Sequence, residues 1–172
     1  LKHRGIRDGD TIVVLDDSGW ALTVQVETCT VGGCTGRVTG RTLGRERRTK
    51  VSVFQGLLHP SDFRRLLVRA TSLGAVAFVP VITDASTLPV LGSDGRPEGE
   101  GDWPTLVRDA AETAGRGRRP ALGETMLYDH ALDDALRGAR VLLVDPSGES
   151  PEVAVGDRPF SIAIFCPPPG GF

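Results

Sequence analysis

Between His59 and Thr83 the sequence HPSDFRRLLVRATSLGAVAFVPVIT passes from a helical pattern, through one glycine, into a run that is almost wholly apolar. No other stretch limits the fold as tightly. Pro60 and Ser61 are helix-start residues, with Ser61 the expected N-cap and Asp62 in the first turn, where a carboxylate complements exposed N–H groups. Phe63, Leu66, Leu67, Ala70 and Leu73 recur at steps of three and four and share one face, with Arg64, Arg65 and Arg69 mainly off it. Gly74 suits the left-handed position that ends such a helix, and Ala75 to Ile82 has the composition of a strand covered on both sides. A helix feeding a doubly buried strand is half of a parallel α/β unit.

The rest of the chain extends this unit. Trp103 and Pro104 open a second helix, with Leu106, Val107, Ala110, Ala111 and Ala114 as its buried stripe and Gly115 at its end. Asp129 to Gly138 reads as a short helix with Ala131, Leu132, Ala135 and Leu136 inward. Arg140 to Val144 and Ser161 to Phe165 read as further core strands, separated by a polar loop from Asp145 to Asp157. This alternation predicts a mostly parallel sheet with right-handed crossovers. The polar, Gly-rich stretch Leu91 to Asp102 is expected to be a mobile connection.

Upstream the period changes. Thr11 to Leu15, Trp20 to Glu27, Gly36 to Leu43 and Lys50 to Phe54 are short runs rich in Val and Thr, with turns at Asp16-Asp17-Ser18-Gly19 and Val31-Gly32-Gly33. They predict a small all-β barrel or curled sheet over residues 1–55, followed by the α/β domain over 56–172.

With 40% hydrophobic residues, the chain can build a packed core, and no apolar run approaches the roughly 18 residues of a membrane span. Cys29, Cys34 and Cys166 are a sparse, odd set, expected as thiols in a reducing cytoplasm. The net charge of −2 conceals basic clusters at Arg37, Arg41, Arg45, Arg47, Arg48 and Lys50, and at Arg116, Arg118 and Arg119. Each is either a phosphate-binding patch or a solvated surface.

His59, Ser72-Leu73-Gly74, Pro80, Thr83-Asp84-Ala85-Ser86, Trp103, Asp109-Ala110, Glu112-Thr113-Ala114, Arg116, Pro120 and Pro167-Pro168-Pro169-Gly170-Gly171-Phe172 form an ordered, spaced frame. That frame resembles the RsmE-type 16S rRNA (uridine-N3) methyltransferases of the SPOUT superfamily. Arg7-Asp8-Gly9-Asp10 and Asp17-Ser18-Gly19 are similar to the PUA-like RNA-binding domain of the same family. The resemblance implies a trefoil-knot α/β catalytic domain after a PUA-like barrel, with a further strand expected before Leu1 and the knot-forming segment expected after Phe172. It implies S-adenosylmethionine as methyl donor, 16S rRNA or the small ribosomal subunit as partner, and a homodimer. Pro168, Gly170, Gly171 and Phe172 would lie at the donor, and Arg116, Arg118, Arg119, Arg45, Arg47 and Arg48 would contact RNA. Family positions held by lysine, glutamate and arginine are His59, Ser72 and Ala85 in this chain, so no catalytic base is assigned. In the final loop a glycine and a glutamate of the family pattern are Pro167 and Pro169, which removes two N–H donors and one carboxylate.

Other chemistries find little support. No Gly-x-Ser-x-Gly occurs, and Gly36, Gly40 and Gly44 are not followed by Gly-Lys-Ser/Thr. Cys29 and Cys34 lack the second pair of a zinc site. The resemblance implies methylation of N3 of a uridine in 16S rRNA as the expected function. A non-catalytic RNA-binding relative and a small-molecule-binding α/β domain are the alternatives.

Overall fold

The structure, a computed structural model, describes residues 5–86, 102–169 and 171. Most of the expected loop from Leu91 to Asp102 lies outside them. The chain divides into two compact units; one runs to Glu46 and takes in Ala111–Arg118, and the other holds Arg47–Ala110 and the residues from Arg119 on.

The first unit is an antiparallel sheet of β1 (Thr11–Leu15), β2 (Trp20–Cys29) and β3 (Cys34–Leu43), with β2 in the middle. The Asp16 carboxylate sets the first turn by accepting the Ser18 and Trp20 N–H groups at 2.9 and 3.1 Å and the Ser18 hydroxyl at 2.7 Å. These bonds, that of the Ser18 hydroxyl foremost, hold the Asp16 carboxyl below its ordinary range. At the second turn Cys29 pairs with Cys34 across the strands, and the two sulfurs are bonded as a disulfide. This corrects the expectation of two turn thiols: the tight Thr30–Gly33 turn closes the strands directly onto each other, with Cα atoms 4.1 Å apart.

The second unit is a parallel sheet in the order β6-β5-β4-β9-β8, with β7 also paired to β5. Its strands are β4 (Lys50–Gly56), β5 (Ala75–Ile82), β6 (Ala121–Leu122), β7 (Met126–Leu127), β8 (Arg140–Leu143) and β9 (Ser161–Cys166). The run Lys50 to Phe54 was expected to close the N-terminal β segment; its strand, β4, instead sits between β5 and β9. Its run of Val53 and Phe54 buries both faces, which suits the middle of a covered parallel sheet and not a half-exposed hairpin. The division between compact units accordingly follows Glu46 and precedes β4.

Helix α1 (Pro60–Leu73) is capped by His59, whose ring accepts the Ser61 N–H, so the cap lies two residues before the expected Ser61. Pro60 then occupies the first turn, where its missing N–H costs nothing. Gly74 ends the helix at φ 112°, and its N–H donates to Ala70 and Thr71. Phe63 and Leu67 of α1, with Trp103 and Val107 of α2 (Trp103–Thr113), pack on Val53, Ala75 and Phe78 of the sheet. Phe63 and Trp103 stack at 4.7 Å. A second core joins Ala131 and Ala135 of α3 (Tyr128–Leu136) to Phe54, Val81, Ala163 and Phe165. Val53 and Phe54 face opposite cores because neighbouring strand residues point to opposite sides. Helix α4 (Pro151–Val155) lies within the expected polar loop.

Candidate functional site

In an open parallel sheet the strands all end on one side, and ligands bind at that carboxyl edge. Here β4, β5 and β9 end together: Gln55 is paired with Pro80 and with Cys166, and the Leu57 N–H donates to the Val81 carbonyl at 3.2 Å. The chain leaves β9 as Pro167-Pro168-Pro169 and crosses the end of β4, where a Cβ at Gly56 would stand 2.4 Å from Pro168 Cδ. Only glycine permits that approach. Gln55 is a 5% exposed polar residue whose Nε2 lies 3.0 Å from the Gly56 carbonyl, 3.4 Å from that of Cys166 and 3.3 Å from that of Pro167.

The S-adenosylmethionine implied by the sequence can be weighed against this loop by counting donors. Pro167, Pro168 and Pro169 have none, and the Gly171 N–H donates to the Pro168 carbonyl at 2.9 Å. What these three prolines offer is a set of carbonyl acceptors and apolar ring faces. These suit an adenine face, its amino group and the ribose hydroxyls, all of which offer donors or apolar surface. Gly171 has φ 91° and open space where a Cβ would stand, so a ligand can reach its main chain. The residues fit the adenosyl half of the donor. Gly170 and Phe172 lie outside the described residues. Next to this loop, burial pushes the Cys166 thiol up, so it stays protonated near neutrality and is a poor nucleophile.

Beyond β5, a cleft of about 420 Å³ opens between Ile82, Thr83 and Asp84 and the start of α3 at Leu127, Tyr128 and Asp129. Its rim is fixed by Ser86, whose hydroxyl accepts the Thr83 N–H at 2.9 Å while its own N–H donates to the Thr83 carbonyl. The Tyr128 ring stands edge-on to Phe165 at 5.8 Å, and Phe165 stacks on Phe54 at 4.5 Å. The cleft wall is therefore packed against β9, the strand that leads into the proline loop. Among the described residues, two carboxylates and no cation line it. Such a site favours neutral groups that donate hydrogen bonds and repels phosphate.

The arginines are placed differently from one another. Arg116 is 3% exposed; its Nη2 pairs with Glu46 Oε2 at 2.8 Å and its Nε with Oε1 at 3.3 Å. Arg118 is exposed, yet its guanidinium donates twice to the Ser18 carbonyl at 3.0 and 2.9 Å. Arg45 is exposed beside Gly115, and its N–H donates to the Gly115 carbonyl at 3.0 Å. The first unit thus brings together Arg45, Arg116 and Arg118, which the sequence separates by some 70 residues. Arg47, Arg48 and Arg119 are exposed members of the second unit. Sequence reasoning missed Gln55, Tyr128 and Glu46. A lone amide before glycine in an apolar strand was the one signal that pointed to Gln55. Among the described residues no three His, Cys, Asp or Glu side chains are grouped to hold a metal, and no helix is long and apolar enough to cross a membrane.

Comparison with known proteins places this geometry. A family described as RNA methyltransferase domain matches residues 45–172. The chain is similar to a ribosomal RNA small subunit methyltransferase E from Neisseria gonorrhoeae bound to S-adenosyl methionine (TM-score 0.84, 20% identity, 100% of this chain and 70% of that one). It is also similar to a putative methyltransferase from Legionella pneumophila in complex with the same cofactor (TM-score 0.76, 18% identity, 99% and 70%). A third likeness is to a probable rRNA-methyltransferase from Porphyromonas gingivalis (TM-score 0.74, 16% identity, 100% and 72%). At such identities these likenesses establish the fold. No curated protein matches the chain by sequence.

Proposed function

The chain belongs to the RNA methyltransferase domain family, and from that premise we propose that it methylates N3 of a uridine in 16S ribosomal RNA with S-adenosylmethionine as donor. The observation that carries this reading is the family match itself, because it spans the whole parallel sheet, including the loop after β9. The likeness to a small-subunit rRNA methyltransferase that binds the same donor supports the choice of substrate and cofactor.

When bound, S-adenosylmethionine supplies an electrophilic methyl group on a sulfonium. The chain's own work is to bind, orient and accept a proton. Pro167, Pro168, Pro169 and Gly171, together with Gly170 and Phe172, form the adenosyl-binding loop. The cleft beside β5 receives the uridine, with Tyr128 against the base and Asp84 and Asp129 as acceptors for its N3–H. Arg45, Arg47, Arg48, Arg118 and Arg119 contact RNA phosphates, and Arg116 serves them by holding Glu46. The protein acts in the cytoplasm as a homodimer.

Small ribosomal subunits lacking the modification, incubated with the protein and labelled S-adenosylmethionine, should gain one methyl group that mass spectrometry places on a uridine N3. Changing both Asp84 and Asp129 to Asn should lower transfer at least tenfold with donor binding unchanged. No transfer to any rRNA would end the proposal. Pro167 and Pro169 favour a second reading, an RNA-binding relative without the reaction. Salt-dependent rRNA binding with no calorimetric response to S-adenosylmethionine would select it.

A further inference from the structure

Among the described residues, Gln55 is the one polar side chain buried at the junction of β4, β9 and the proline loop, and its surroundings explain why an amide is there. Three consecutive prolines give the loop no N–H of its own over Pro167, Pro168 and Pro169, so over these residues hydrogen bonds can fasten it only through donors that reach its carbonyls. Cys166 is the last residue of β9 paired with β4, opposite Gln55, and the Pro167 carbonyl lies just beyond that pair. Gln55 Nε2 has two hydrogens, and the carbonyls of Gly56, Cys166 and Pro167 all lie within 3.0 to 3.4 Å of it. Gly56 then lets Pro168 lie directly on the end of β4.

We infer that Gln55 is a positioning residue for the methyl-donor loop: its amide donates to the carbonyls at the start of the loop and fixes the path of Cys166-Pro167-Pro168 over β4. This rests on the cofactor reading above. It explains how a loop stripped of N–H groups keeps one shape. Gln55 touches no reacting atom and acts through the loop.

The test is calorimetric titration of the whole chain with S-adenosylhomocysteine, alongside thermal unfolding and binding of a 16S rRNA fragment. Gln55→Met keeps the length and removes both donors; it should weaken S-adenosylhomocysteine binding about tenfold, the worth of about 1.4 kcal/mol, and leave rRNA binding unchanged. Gln55→Glu places a carboxylate against three carbonyls and should bind worse still at pH 8. At pH 5 the protonated carboxyl donates one hydrogen bond, so the variant-to-wild-type ratio should recover severalfold. A residue that merely filled space would show neither the split between ligand and RNA nor this recovery. If Gln55→Met does not unfold cooperatively, the Gln55→Glu ratio at the two pH values decides alone, and a ratio indifferent to pH overturns the inference. Wild-type affinity in Gln55→Met overturns it while the cofactor reading stands. No binding by the wild type overturns both.

Discussion

Arg116 shows what a single residue can hide. Its guanidinium is paired with Glu46 through two contacts, and Glu46 also accepts the Arg118 N–H at 3.1 Å. With side-chain exposures of 2% and 18%, the pair is largely out of water, where a guanidinium stripped of its carboxylate is costly. Glu46→Ala should therefore destabilise the protein by about 3–5 kcal/mol in urea unfolding. Replacing the pair together, Glu46→Ala with Arg116→Met, should cost clearly less than Glu46→Ala alone. Equal losses would mean the pair is not the source. The sequence presented Arg116 as one member of a basic cluster, either phosphate-binding or solvated, and the family resemblance made it an RNA contact. Nothing local reveals a carboxylate 70 positions away, which is why its burial was not legible.

At the scale of elements, the first unit depends on how closely three glycines approach. A Cβ at Gly44 would stand 2.3 Å from the Gly117 nitrogen, and one at Gly117 would stand 2.6 Å from the Gly19 carbonyl carbon. Between them, the Gly19 N–H donates to the Gly117 carbonyl at 3.0 Å and the Gly44 N–H to the Gly19 carbonyl at 2.9 Å. The segment after α2 is thus laid on the β1–β2 turn and the end of β3 with backbone against backbone. Gly117→Ala should lower the unfolding midpoint by the equivalent of about 1–3 kcal/mol, whereas Gly138→Ala, with nothing within 4 Å, should change it little. Long periodic elements were readable in advance: α1, α2, α3, β5 and β9 follow patterns of their own. Lys50–Gly56 was readable as a strand but not as a central one, because pairing partners 25 and 111 positions away leave no mark in it. The two-residue strands β6 and β7 are too short to have a period.

For the whole molecule, net charge of −2 and a sequence pI near 5.9 mean that RNA is not attracted by bulk charge, so any affinity must come from local arginines. Changing Arg47 and Arg48 together to Ala should reduce the slope of log affinity against log salt by about 1.4 if both neutralise phosphates of single-stranded RNA. An unchanged slope would remove them from the interface. The candidate loop was visible in the sequence as a departure from a family pattern, while the cleft was not, since it forms only when β5 and β7 pair. The same sheet order has a consequence for biosynthesis. Gln55 and Cys166 are 111 positions apart, so β4 is translated long before the strand that lies beside it. At about 5–20 residues per second, one side of that apolar strand goes uncovered for on the order of ten seconds. A nascent chain in that interval exposes the template on which strands from other molecules add, and chaperones would have the most to protect there.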